Sequence, residues 1–356
     1  MLTKALPVAL LAGAASAACP LSISISQAEA HTVNVAVTNT GSDTLQVFKG
    51  NTVFSEHATK DLLVADANGK ALPFEGIFVN YKKQGLTADN FQKIAAGETV
   101  TISVNAGKSY KLNGIKHAKV SAIQGFQFTT GEEAPSALKE LSTCADLTTE
   151  TVDVTPDQTT VVEDHISHKR SLPSTSRIQK RAITYSSCSS SQTSTLQTTV
   201  SNAISMAGAA YTAAGSGADY FTTWFKSTST TSKVQSIYNS VKNVQSTSPK
   251  ISCTDTYNDC SDGSALLYTI PSAKVIVPCP NNGFWGFPAL ASQCAGDDYD
   301  KAGSMLHEMT HLYGTNDYAY GPDAAKALSA SQASNNADTY EMYAESVRLG
   351  GCTTGK

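Results

Sequence analysis

His307-Glu308-Met309-Thr310-His311 sets two imidazoles four residues apart, with a carboxylate directly after the first. On a helix, positions i and i+4 share a face, so both rings can reach one metal ion. Glu308 is turned about a third of a turn aside, where it can hold a water near the ion without ligating it. The chemistry this trio suits is metal-assisted hydrolysis. Zinc lowers the pKa of a water and polarises a carbonyl, and the glutamate carries the proton from water to leaving group.

A catalytic zinc site as a rule takes three protein ligands, and the motif supplies two. Asp317, Asp338, Glu341 and Glu345 follow it, and no histidine does. A third imidazole from downstream is therefore excluded. Aspartate and glutamate oxygens both suit zinc, so residue type leaves the choice among the four open.

The motif needs a helix. Ala302 to Tyr313 provides one, with Met305, Leu306, Met309 and Leu312 as apolar frame and Gly314 as its stop. A further helix is expected from about Ala337 to Arg348, and two apolar stripes precede the motif. One is Leu196, Val200, Ile204, Ala207 and Tyr211; the other is Val234, Ile237, Val241 and Val244. Leu266 to Val277 reads as two strands around Pro271. The C-terminal part is thus mainly helical with a small sheet.

Residues 20–135 have a different pattern. His31 to Val37 and Thr99 to Val104 alternate with period two, and turn formers such as Asn39-Thr-Gly41 and Asn68-Gly69 separate such runs. Short alternating strands with frequent turns predict a β-sandwich over about 20–146. From about 147 to 181 the chain turns polar, Ser-rich and basic, a composition that cannot order itself by burial. Lys180-Arg181 closes this linker as an exposed dibasic pair open to a processing protease, with Lys169-Arg170 as a second candidate.

The start of the chain, a lysine at position 4, an apolar run from Ala5 to Ala12 and Ala15-Ser16-Ala17, reads as a secretory signal peptide spanning 1–17. Eight cysteines, an even number without a CxxC pair, fit an extracellular disulfide framework. A cut after Arg181 leaves Cys19 and Cys144 on one side and six cysteines on the other, so each part can close on itself. The whole chain has net charge −4, and residues 182–356 hold 9 Lys+Arg against 13 Asp+Glu, which leaves the preceding part neutral. That balance argues against a nucleic-acid partner, and no run is long and apolar enough for a membrane span. The expectation is a secreted monomer.

The motif with Gly314-Thr-Asn-Asp-Tyr-Ala-Tyr-Gly321 resembles the HExxH plus GTxDxxYG signature of the deuterolysins, fungal zinc endopeptidases also called aspzincins. The stretches Ala327 to Ala333 and Asn336-Ala-Asp-Thr-Tyr340 are similar to that family too. So is the plan of signal peptide, propeptide, dibasic site and a mature part with six cysteines. The resemblance implies a zincin-type catalytic domain at 182–356 and a propeptide at 18–181 that inhibits or chaperones it. It implies protein substrates, with a liking for basic ones. Carried over by motif position, it makes His307, His311 and Asp338 the zinc ligands and Glu308 the general acid/base. Asp317 becomes an essential residue that supports a ligand histidine without touching the metal. The family's sequential disulfides would join Cys188 to Cys253, Cys260 to Cys279 and Cys294 to Cys352; parity then joins Cys19 to Cys144.

One position departs from the family. Deuterolysins carry a functional tyrosine soon after the fourth mature cysteine, held to stabilise the oxyanion. Cys279 is followed here by Pro-Asn-Asn-Gly-Phe-Trp-Gly-Phe-Pro288, without a hydroxyl of that kind. Trp285, Tyr299, Tyr320 and Tyr340 are the candidate replacements. The gap motivates one alternative, a catalytically weak or inactive zinc-binding relative acting as an extracellular interaction protein. A second alternative keeps the β-rich part as a permanent binding domain.

Overall fold

The computed structural model describes residues 19–161, 182–217, 220–292 and 300–351. The expected signal peptide, the pairs Lys169-Arg170 and Lys180-Arg181, and Cys294, Asp297, Asp298, Tyr299 and Cys352 lie outside these residues.

The N-terminal region is β-rich. β1 (Leu21–Glu29), β2 (Thr32–Asn39) and β7 (Thr99–Asn105) form one antiparallel sheet in the order β1-β2-β7. Alternation decides its faces: Val33, Val35 and Val37 are fully buried while the residues between them are half-exposed. The second sheet is organised by β8 (Ala118–Thr130), which pairs antiparallel with β3 (Leu45–Phe48), β4 (Leu62–Asp66), β9 (Ser142–Thr148) and β10 (Val152–Val154). β6 (Phe91–Ile94) extends it beyond β3. Val47, Leu62, Val64, Val120 and Ala122 of this sheet pack on the buried valines of β2, so the two sheets share one core. A disulfide joins Cys19 to Cys144 across it.

Residues 147–154, read from sequence as the start of the linker, contain the end of β9 and all of β10. Val152-Asp153-Val154 alternates and pairs with Val120-Lys119-Ala118, and Val154 is buried. This short period-two signal was hidden among polar neighbours.

The C-terminal region is helical around a small sheet. Its helices are α1 (Ser190–Ser216), α2 (Phe221–Phe225), α3 (Thr231–Lys242), α4 (Lys301–His311), α5 (Pro322–Ala327), α6 (Ala330–Ala333) and α7 (Ala337–Leu349). α1 opens on a capping box between Ser189 and Gln192 and stops at Gly217, which takes the left-handed conformation with φ 65°. α4, the helix with the HExxH motif, is buried along all 11 of its residues, packed on α1 and α7. Its first turn is capped by Asp300, whose carboxylate accepts from Gly303 N at 2.6 Å. Disulfides join Cys188 to Cys253 and Cys260 to Cys279.

The sheet beside α4 runs β11 (Thr184–Ser186), β12 (Lys250–Ser252), β14 (Val275–Pro278), β13 (Ala265–Ile270) and then β5 (Phe78–Tyr81). The last strand comes from the N-terminal region. It pairs antiparallel with β13, Phe78 opposite Thr269 and Val79 opposite Tyr268. The two parts expected from sequence are therefore not separate bodies: one sheet is completed by both.

Candidate metal centre

α4 presents His307 and His311 on one face, and the loop after it brings Asp317 back beneath them. Asp317 Oδ1 lies 3.2 Å from His307 Nε2, and its Oδ2 lies 3.3 Å from His311 Nε2. His311 is oriented from behind, since its Nδ1 lies 3.2 Å from the Thr315 carbonyl and can donate to it. That bond leaves Nε2 as the nitrogen with a free lone pair. Thr315 is itself fixed by a 2.7 Å contact with Thr310 on α4.

Asp338 and Glu341, from the first turns of α7, meet His307 on its other nitrogen. Asp338 Oδ1 is 3.4 Å and Glu341 Oε2 3.6 Å from Nδ1. Among the described residues, two groups have the spacing to share an ion: His307, His311 and Asp317, and separately His307, Asp338 and Glu341. The set His307, His311 and Asp338 implied by resemblance is not brought together that way. The two Nε2 atoms converge on Asp317, and Asp338 stands behind the His307 ring. Glu345, the remaining candidate, is engaged by Arg348 at 2.5 Å.

These groups are buried, yet their polar atoms are unpaired. His307 Nε2, His311 Nε2 and both Asp317 carboxylate oxygens have no hydrogen-bond partner. They lie close together without the geometry of a hydrogen bond, as donors to a shared cation do. A cluster of orphaned buried atoms is otherwise costly, so the residues present fit a metal. The electrostatics agree. Burial alone would raise the Asp317 carboxyl, but His311 and His307 hold it well below the usual range.

Glu308 is held by a strand. The Thr269 hydroxyl of β13 donates to Glu308 Oε2 at 2.5 Å, and Oε1 is left unpaired. Burial raises the Glu308 carboxyl to about 7, a shift limited by His307, His311 and the Thr269 bond. A carboxyl tuned near neutrality suits a group that must both take and return a proton.

The candidate replacements for the family tyrosine now separate. Tyr340 points its hydroxyl at the Ser334 carbonyl, 2.8 Å away, and the Trp285 indole N–H is buried without a partner. Tyr320 is beside the centre, its ring stacked on His307 at 6.3 Å and its hydroxyl donating to the Val79 carbonyl at 2.7 Å. Burial pushes this phenol far up, so it stays a neutral donor.

Thr269 and Asn336 were missed from sequence. Asn336 shapes the loop beneath the histidines: its Oδ1 accepts from Tyr318 N at 2.7 Å and Ala319 N at 3.1 Å. It sits in the Asn-Ala-Asp-Thr stretch already noticed, whereas Thr269 carries no signal beyond its place in a strand. Asp300 is buried as the cap of α4.

Residues 210–345 match the family model Aspzincin_M35, described as lysine-specific metallo-endopeptidase. A neutral protease 2 homolog of Phaeosphaeria nodorum is 36% identical over 97% of this chain and 98% of its own length. Homologs of the same description from Sclerotinia sclerotiorum and Arthroderma gypseum are 30% and 31% identical, over 93% and 89% of this chain. The chain belongs to this family. It is a deuterolysin-type zinc metalloendopeptidase, and the buried His-His-Asp cluster of α4 and its following loop is where such a metal fits. No helix among the described residues is long and apolar enough to cross a membrane.

Proposed function

We propose that the protein is a secreted proenzyme in which His307, His311 and Asp317 hold the zinc and Glu308 serves as general acid/base. The convergence of both Nε2 atoms on Asp317 carries this reading. It exchanges the roles that resemblance gave the two aspartates: Asp338 becomes the group that orients His307 through Nδ1. Bound zinc would supply Lewis acidity to a water and to the scissile carbonyl. Glu308, steadied by Thr269, accepts the water's proton and returns it to the departing amine. Tyr320 donates its hydroxyl to the carbonyl oxygen as charge develops there. With Tyr320 in that role, the absent hydroxyl after Cys279 no longer argues for an inactive relative.

A preference for basic substrates finds support in Lys83. Its ammonium lies 3.3 Å from Asp338 Oδ1, both groups buried. Removal of the N-terminal region would take this ammonium away and leave the Asp338 carboxylate without its cation, which a lysine of a substrate can provide. The lysine-specific description of the matching family model agrees. Activation by a cut after Arg181 is compatible with the fold, because β11 begins at Thr184 and stays paired with β12.

The test is proteolysis by the processed protein on matched peptides carrying lysine or methionine at one position. Chelator-sensitive cleavage favouring lysine is expected. Asp317→Asn should lose zinc, and Asp338→Asn should keep it; the opposite pattern restores Asp338 as ligand. The permanent two-domain alternative draws on the shared sheet, and a secreted form that begins at Ala182 rules it out.

A further inference from the structure

We infer that residues 77–84 form an inhibitory strand that keeps the N-terminal region seated on the catalytic site after the linker is cut, so that dissociation opens the enzyme. This rests on the protease reading above and adds how the site is regulated.

β5 lies on the outer edge of β13, the strand whose Thr269 holds Glu308, and it lies there as an extended antiparallel chain. An added strand of this kind binds by its main chain and is made specific by alternate side chains. Three of its residues meet the centre directly. The Phe78 ring stacks on His311, centroids 4.3 Å apart and planes within 7°. The Val79 carbonyl takes the Tyr320 hydroxyl. Asn80, which shares the Phe78 face by alternation, is fully buried with both amide atoms unpaired. Lys83 then reaches Asp338. With this strand in place His307, Glu308 and His311 are 0–1% exposed, so no substrate can approach them.

The strand does not hold alone. Phe48, Ile77, Val79, Tyr81, Leu86 and Phe91 form one apolar cluster with residues of β13, β14 and Tyr320. Gln127 exchanges two hydrogen bonds with the Tyr320 backbone, and Lys60 donates to Asn316 at 2.7 Å. All of these contacts are made by residues outside 162–181. Cutting after Arg181 removes none of them; it ends only the high effective concentration that a linker provides.

The experiment takes the full chain, cut in solution after Arg181 and not separated. Three quantities are followed as the cut protein is diluted: co-elution of the two parts, amide exchange at 265–270, and hydrolysis of a quenched lysine peptide. The expected result is co-elution with slow exchange and low hydrolysis at high concentration, and release of all three together on dilution. Lys83→Glu and the milder Lys83→Met should move the dilution midpoint to higher concentration, by roughly 30-fold or more for the charge reversal. Lys93→Glu, at an exposed lysine paired with Glu132, should leave the midpoint in place. Immediate separation of the parts on cutting overturns the proposal. So does full hydrolysis while they still co-elute with 265–270 protected, or an unchanged midpoint in both Lys83 variants. Repeating elution and exchange in Glu308→Gln keeps the two readings apart: if no variant ever hydrolyses peptide but release behaves as stated, the protease reading falls and the strand stands.

Discussion

Asn39 and Asn80 are both fully buried in the N-terminal region, and they are treated in opposite ways. Asn39 lies inside the β-rich core. Its amide nitrogen reaches the carbonyls of Asp43, Ile94 and Ala95 at 2.8–3.1 Å, and its oxygen accepts from Gly41 N at 2.9 Å. Asn80, on the strand that crosses into the catalytic sheet, has no partner for either atom. The same contrast separates the two regions. Asn39 is paired throughout, as expected when each unpaired group costs about 1–3 kcal/mol. Around α4, atoms of His307, Glu308, His311 and Asp317 are without a hydrogen-bond partner. At the α4 site these atoms belong to metal-ligating residue types on converging side chains, which a shared cation would satisfy.

The sharpest way to break this contrast is to remove the open groups. Asp317→Asn should abolish zinc binding and lower activity by more than the ~10–100-fold typical of residues that only orient a ligand. Metal content by mass spectrometry and peptide hydrolysis measure the two. Glu308→Gln should keep the metal and cost about 10²–10⁴-fold in kcat, the range of general acid–base catalysis. Metal loss in Glu308→Gln would mean that the carboxylate is a ligand. A smaller effect distinguishes the asparagines. Asn39→Leu orphans a backbone N–H and three carbonyls and should destabilise the N-terminal region by about 2 kcal/mol or more, read by denaturant unfolding. Asn80→Leu removes only unpaired atoms and should be near neutral or stabilising in the uncut chain.

Much of the site was legible because it is local. HExxH, its apolar frame, the stop at Gly314 and the helix from Ala337 follow from spacing, capping and period. The proposed choice of Asp317 over Asp338 as ligand was not, because it rests on which ring nitrogen of His307 each carboxylate meets. Sequence separation has no bearing on that; the return of the Gly314–Gly321 loop beneath α4 does, and Asn336 shapes that loop. The seating of β5 was equally hidden. Phe78-Val79-Asn80-Tyr81 is a short run like its neighbours, and its partner strand is encoded nearly two hundred residues later. Division by composition at the linker separated the cysteines well but missed a sheet made from both sides of it.

The weakest expected effect concerns a polar group that is paired across the two regions. His57 places Nδ1 3.1 Å from Asp259 and Nε2 3.4 Å from Asp262. Burial would lower its pKa, but hydrogen bonds and charge from these two aspartates outweigh that and raise it to about 9 from 6.5. A pKa raised in the folded complex means that protonation favours it. The contribution is therefore complete below about pH 6.5 and is lost as pH rises through about 9. Uncoupled from the linker by the cut after Arg181, the two parts should separate more readily at pH 9.5 than at pH 6.5. His57→Gln should flatten this dependence while leaving the rest of the interface in place. If the wild-type midpoint is the same at both pH values, His57 is neutral in the complex, and the contact with Asp259 and Asp262 holds the regions together by geometry without charge.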